Sequence, residues 1–386
     1  MPLINYGKQS IDRKDIKSVQ KILKSDFLTQ GLMVQKFESG LKKKLNSNYC
    51  TVVSSGTAAL HLLSLALGWK KNDIILTTPF SFVATSNCIL YSGASPIFVD
   101  IDSNTGNICP IKLEKKIKQL EKRKKKIKAV IAIDYGGCPS DWLKLRSITK
   151  RRNITLINDG CHALGSAINK NQKYAIKFAD FVTYSFHPVK PITTGEGGAI
   201  LTNNKAIDEK LKMLRTHGIK KNEKKYIWYH DMKFLGFNYR ITDFQCALGL
   251  SQLKKIGKFN SKRKKIAFLY DKAFKNLKFF KTPSIPKNFS SSYHLYALKI
   301  DFKSLNIKKN DLFKKLLKLG IKLQVHYIPI YRHSYYKKKF KFKYSQFPCT
   351  EKFYSEIISL PIYYNLSKKD QFYIIDSLKK IIIQKN

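Results

Sequence analysis

The chain has 386 residues, with 73 Lys or Arg against 26 Asp or Glu, a formal net charge of +47 at pH 7. Such a surplus is the electrostatic footprint of a phosphate-binding protein. Yet 43% hydrophobic and 12% aromatic residues are enough for a large core and exclude wholesale disorder.

The length fits two domains, or one large domain with an appendage. The N-terminus, MPLINYGKQSIDRKD, lacks an apolar signal stretch. No uncharged apolar run approaches the roughly 18 residues that span a bilayer, so a soluble, cytoplasmic protein is expected. Seven cysteines stand singly with no CxxC pair, which argues against a disulfide framework and a metal site.

Between residues 50 and 205, short apolar runs alternate with amphipathic segments. The runs are CTVVSS, DIILTTP, PIFVDI, AVIAIDYGG, ITLINDG, FVTYSF and GAILTNN. Each is β-branched or aromatic and ends in a turn residue, the pattern of buried strands in a mostly parallel sheet with crossover helices. Residues 57–67 predict one helix and the lysine-rich stretch 112–128 a charged surface helix. The fold class is therefore α/β layered.

After about residue 245 the pattern changes. Residues 242–274 predict one long helix, followed by a strand (YHLYALKI) and a helix with an apolar stripe of Leu312, Phe313, Leu316 and Leu317. A further strand (KLQVHYIPI) and a closing helix complete the chain. The expected division is a large α/β domain over 1–245 and a smaller α+β domain over 246–386.

In open α/β sheets, ligands bind beyond the carboxyl ends of the strands. Three places follow such ends. SSGTAAL joins a strand to a helix start, where exposed N–H groups can hold an anion; a plain tight turn is the alternative. ITLINDGCHALGS places Asp159 at a strand end with His162 three residues on, either a cap with a core histidine or a carboxylate facing a cationic ring nitrogen. FVTYSFHPVKPITTGEGGAIL sets Lys190 in a Pro-flanked segment with little other charge. A lysine kept off the solvated surface has a lowered pKa and becomes a nucleophile.

Together these blocks resemble the pyridoxal-phosphate site of the aspartate-aminotransferase superfold, and more closely the DegT-type sugar-nucleotide aminotransferases. The resemblance covers nearly the whole chain, from INYGKQSIDRKDIKSVQKILKSDFLTQG through HPVKPITTGEGG to LGFNYRITDFQCALGLSQL and HYIPIY. It implies fold type I, a mostly parallel sheet sandwiched by helices with a smaller C-terminal domain, and pyridoxal 5′-phosphate as cofactor. By that resemblance Lys190 matches the lysine that carries the cofactor covalently and shuttles protons. Asp159 matches the carboxylate on the pyridine nitrogen, and His162 the group on the phenolic oxygen, where many relatives carry Gln. Phe82 matches the aromatic stacked on the ring, and Thr57, Ala58 and Ser185 match the phosphate cradle.

Asn238 resembles the residue that reaches the phosphate from a neighbouring subunit, which implies a homodimer with shared sites; a turn asparagine capping the next helix is the alternative. Tyr6, Thr29, Gly31, His326 and Tyr327 resemble substrate-side positions. Two departures stand out: Asn158 where the family has Glu, and Cys161 where it has Ala.

The form HPVKPITTGEGG is most similar to C4 aminotransferases of the pseudaminic acid pathway, which implies a UDP-linked 4-keto-6-deoxy sugar as substrate and L-glutamate, leaving as 2-oxoglutarate, as donor. A C3 enzyme, or one for another dTDP-, GDP- or UDP-sugar, is the alternative. Related sugar dehydratases carry His at the lysine position, and Lys190 argues against them. A nucleic-acid-binding regulator on this fold is the remote alternative; no recognition-helix or aromatic-plus-basic motif supports it. The lysine surplus is expected on surface helices and loops, among them EKKIKQLEKRKKKIK and KKNEKK.

Overall fold

The computed structural model describes residues 3–222 and 226–383; three residues of the KKNEKK run, 223–225, lie outside the described residues. The seven apolar runs form one sheet: β1 (Tyr49–Val53), β2 (Ile74–Thr77), β3 (Ser95–Phe98), β4 (Ile127–Ile133), β5 (Thr155–Asp159), β6 (Phe181–Ser185) and β7 (Gly198–Thr202). Their order is β1-β7-β6-β5-β4-β2-β3. The five strands β6, β5, β4, β2 and β3 pair in parallel, and β7 runs antiparallel to both β1 and β6.

Alternate side chains leave opposite faces, which is why the strands read as continuous apolar runs. Val52, Leu76, Val130, Leu156 and Leu201 enter one core, whereas Val53, Ile75, Ala129, Ile157 and Ile200 enter another. Each fully buried Val, Leu or Ile contributes about 1.5–3 kcal/mol.

Five helices matter for the site: α1 (Arg13–Leu23), α2 (Leu32–Leu45), α3 (Gly56–Ala66), α4 (Ala84–Tyr91) and α5 (Asp243–Phe274). A capping box between Thr242 and Gln245 starts α5. Asp15 of α1 is fully buried and accepts from Ser251 Oγ, Gln252 Nε2 and Lys255 Nζ, which docks α1 on α5.

The first half of α5 packs Cys246, Leu253, Ile256 and Phe259 into the large core, and its second half packs Ile266, Ala267, Tyr270 and Phe274 into a second core. The division expected after residue 245 thus falls inside α5. Ile4, near the start of the chain, also joins the second core. That core backs a three-stranded antiparallel sheet of Phe280–Lys281, Tyr296–Ile300 and Ile357–Leu360.

Three local expectations are corrected. The charged helix of 112–128 runs from Pro110 to Lys122, because Lys124 turns into left-handed backbone (φ 53°) so that the chain can enter β4 at Ile127. In the helix Lys309–Lys318, Leu312 and Leu316 are buried but Leu317 faces solvent. KLQVHYIPI is not a strand, apart from a single bridge of Gln324 to Ser359. Its backbone groups are taken elsewhere: Lys322 N donates to Ile4 O, Ile330 N to Pro79 O, and the His326 carbonyl accepts from Tyr135 Oη.

Candidate active site

The carboxyl ends of β5 and β6, the start of α3 and the approach to α4 converge on one cavity of about 400 Å³. From this larger half it is lined by Thr57, Phe82, Asp159, His162, Ser185 and Lys190, all expected from the sequence. Tyr6, His326 and Tyr327 close it from the opposite side.

Asp159 is the last residue of β5 and is buried. Its Oδ2 accepts from Thr85 Oγ1 at 2.6 Å, and Oδ1 from the Cys161 N–H at 3.4 Å. Charge-assisted bonds of this kind fix a carboxylate firmly. Asn158 lies on the other face of the strand, where its Nδ2 donates to Asp134 Oδ2 and its Oδ1 is buried without a partner. The substitution for Glu therefore alters the layer beneath the cavity, not its lining.

Lys190 is half-buried. Burial lowers its pKa from the ordinary lysine value, with Cys161 and Asp159 opposing. Burial and the Asp159 charge push the Cys161 thiol well up, so it lines the cavity as a small neutral group.

His162 has a definable tautomer. The Gly136 N–H donates to its Nδ1 at 3.3 Å, and a backbone N–H can only donate, so the neutral ring carries its proton on Nε2. Nε2 lies 2.9 Å from Tyr327 Oη. Burial first, then electrostatic opposition from Lys190 and, once protonated, His326, hold the ring's pKa well below the ordinary histidine value. His162 is thus a neutral donor, as a glutamine amide would be.

At the start of α3, Ser55 is the N-cap and its Oγ accepts from the Ala58 N–H at 3.0 Å. The N–H groups of Gly56 and Thr57, the first two of the helix, have no intrahelical partner. Two glycines allow this loop to nest against the sheet. A Cβ on Gly56 would meet Ser185 Cβ at 2.8 Å, and one on Gly198 would meet Ser55 O at 2.4 Å. Ala58 is buried and outside the cavity lining, its N–H already taken.

Three other expected residues lie away from this cavity. Thr29 bridges to Thr242. The Gly31 N–H donates to Asp243 Oδ2 at 2.8 Å, and a Cβ there would come within 2.8 Å of that carboxylate, so Gly31 lets Asp243 cap α2. Asn238 pairs with Thr216, and α5 is capped by Thr242, which removes the helix-capping alternative for Asn238.

The sequence reading missed Thr85, Glu196 and His294, which also line the cavity. Thr85 sits in the FSFVAT block beside Phe82 and was open to detection; His294, a lone histidine in an apolar run, gave no signal.

The residues present fit pyridoxal phosphate. A half-buried lysine of lowered pKa, a fixed carboxylate, a more than half-exposed Phe82 and a helix N-terminus beside Ser185 surround one ring-sized space. Fold and cavity together define the class: an α/β protein whose cavity at the strand ends pairs a lysine with a carboxylate.

The sequence profile of the DegT/DnrJ/EryC1/StrS aminotransferase family matches residues 9–379, and the chain belongs to that family. It is 41% identical over 380 residues, 98% of each chain, to the UDP-4-amino-4,6-dideoxy-N-acetyl-beta-L-altrosamine transaminase of Campylobacter jejuni. Among solved structures it is similar to Helicobacter pylori PseC, an aminotransferase involved in the biosynthesis of pseudoaminic acid, at 35% identity and TM-score 0.90 over 99% of this chain and 100% of that one. It is also similar to the PMP form of the sugar aminotransferase Spr1654 from Streptococcus pneumoniae, at 27% identity and TM-score 0.92 over 99% and 100% of the two chains.

Proposed function

We propose that the chain transfers the amino group of L-glutamate to C4 of a UDP-linked 4-keto-6-deoxy-N-acetylhexosamine, as pseudaminic acid biosynthesis requires, with 2-oxoglutarate as co-product. The observation that carries the reaction class is the pairing, in one cavity, of Lys190 at lowered pKa with an Asp159 carboxylate fixed by Thr85. The choice of sugar is supported by the similarity to the Campylobacter jejuni transaminase and to PseC along nearly the full length of each.

When bound, pyridoxal phosphate supplies the electron sink that amino transfer needs. Lys190 holds it covalently and moves a proton at Cα of the donor and at C4 of the sugar; its lowered pKa eases access to the basic form. Asp159 holds the proton on the pyridine nitrogen. His162 donates its Nε2–H to the phenolic oxygen, in place of the Tyr327 hydroxyl. Phe82 covers one ring face, and Cys161 lies in the wall where relatives carry Ala. Ser185 and the N–H groups at the start of α3, from Thr57 toward Ala58, receive the phosphate.

Tyr6, His326 and Tyr327 face the sugar. Asn238, and Thr29 and Gly31 near it in the larger half, complete the site of a second copy in a homodimer. Exposed apolar side chains on either side of the short strand His230–Met232, with Ile227 at 91% and Leu235 at 82% exposure, support a covered face. The seven cysteines are all free, which goes with a reducing, cytoplasmic setting. No helix among the described residues is long and apolar enough to cross a membrane.

Glutamate and a panel of UDP-, GDP- and dTDP-linked keto sugars test the proposal. The expected result is one equivalent of 2-oxoglutarate per amine, with the amine at C4 of the UDP sugar by NMR. Amination at C3, or only of another nucleotide's sugar, overturns the substrate assignment.

A further inference from the structure

The segment Ser292–Leu295, which leads into the strand Tyr296–Ile300 of the small half, wraps around His162. Ser292 Oγ donates to the His162 carbonyl at 2.6 Å. The Ser292 N–H donates to Ser166 Oγ at 3.0 Å, and that hydroxyl donates to the Gly137 carbonyl at 2.7 Å. The Leu295 N–H donates to the carbonyl of Gly136, whose own N–H holds His162 Nδ1. The approach is close enough to require glycine at 137, where φ is 94° and a Cβ would lie 2.0 Å from Ser292 Oγ.

Against the His162 ring packs the ring of His294, 4.4 Å between centroids. His294 is 5% exposed, and its Nδ1 is buried with no hydrogen-bond partner. That orphan nitrogen destabilises the fold; what the ring supplies to the cavity wall is its bulk against His162. The main chain around it is held by Arg263 of α5, itself 4% exposed. The Arg263 guanidinium donates to the carbonyls of Tyr293, His294 and Ile362, at 3.3, 3.4 and 2.7 Å. The Ile362 N–H in turn donates to Tyr6 O, so the same arginine also steadies the sugar-facing wall.

We infer that His294, anchored by Arg263, is a positioning residue for His162: it confines that imidazole to one orientation and one tautomer, with the Nε2–H directed into the cavity. The consequence for the cofactor rests on the proposed role of His162; the confinement itself does not. The ionisable groups facing His162 are Lys190, His326 and His294, with Tyr327 at its Nε2 and Asp159 on the neighbouring strand end. With water excluded by His294, the charge of Lys190 opposes protonation; without it, solvent reaches the ring.

The test is nitrogen-15 histidine NMR of the protein without cofactor, combined with absorbance titration by pyridoxal phosphate. His162 is expected as a neutral Nε2–H tautomer throughout the neutral range. In His294→Ala it is expected to mix tautomers and titrate nearer the ordinary histidine value, with cofactor affinity roughly threefold to tenfold weaker. His294→Phe, which keeps the flat ring, is expected to restore the His162 signals, and Arg263→Lys to shift them in the same direction as His294→Ala but less.

Unchanged His162 signals in a folded His294→Ala protein overturn the inference, as does a folded His294→Phe protein that behaves like His294→Ala. Should His294→Ala not fold, unchanged signals in Arg263→Lys overturn it. A His162→Ala control, which removes the donor, separates the two claims: if its cofactor spectrum and affinity are altered while His294→Ala leaves His162 unmoved, the reading of His162 stands and the positioning role falls. If His162→Ala alters neither, the cofactor role falls, and the NMR result still decides the positioning.

Discussion

The two walls of the cavity are built on different physical plans. The wall from the large half is made at strand and helix ends, and carries a lysine, a carboxylate, hydroxyls and unpaired main-chain N–H groups. The wall from the small half is made of rings: Tyr6, His294, His326 and Tyr327. Burial pushes His326 down to about 4, holds His294 well below the ordinary histidine value and raises Tyr327. The second wall therefore brings donors, acceptors and flat surfaces but no ionised group at neutral pH. The difference assigns charge and proton transfer to the strand-end wall, and shape, orientation and exclusion of water to the ring wall.

Substitutions on the two walls test that division. On the proposed roles, Lys190→Ala removes the proton carrier and the covalent anchor, and is expected to lower turnover by roughly three orders of magnitude or more, measured as 2-oxoglutarate release. Asp159→Asn leaves no carboxylate to hold the pyridine proton, with an expected loss of about 100-fold in kcat.

A ring-wall residue should act on stability instead. His326 stays neutral in the fold down to about 4, whereas the unfolded chain takes up its proton near 6.5. Stability from this group is complete above the unfolded value and is lost as pH falls toward the folded one. The loss amounts to at most about 3 kcal/mol, and denaturant melts of His326→Gln should show a shallower decline over that window. Smaller still, Thr85→Val removes the 2.6 Å bond to Asp159 and should cost about tenfold in kcat/KM while the melting temperature changes little. A large kcat effect at His326 with none at Asp159 would break the division between the walls.

The same contrast separates what the sequence made legible. All seven strands were readable because each is a short apolar run closed by a turn residue, and local chain geometry sets both features. The strand-end wall follows from them, since Asp159, Ser185 and Lys190 sit at or just beyond run ends. The ring wall depends on contacts between residues distant in the chain. Tyr135 meets the His326 carbonyl, Arg263 holds the His294 carbonyl, and Ile4 pairs with Ile321. None of these leaves a periodic trace. KLQVHYIPI misled for the same reason: its alternation is that of a strand, yet apart from the Gln324 bridge its backbone is bound by partners outside any ladder.

The lysine surplus also reads differently beside the structure. Lys122 and Lys124–Lys126 are exposed at the turn before β4, away from the cavity lining. Such a field favours the approach of a diphosphate substrate without marking a site.

The most direct test of the account is to incubate the protein with pyridoxal phosphate, reduce it with borohydride, and map the modified peptide by mass spectrometry. In a chain this rich in lysine, the account predicts a single stoichiometric pyridoxyl group, on Lys190, which prior addition of glutamate abolishes. Label on another lysine, or label at Lys190 that glutamate leaves untouched, would contradict it.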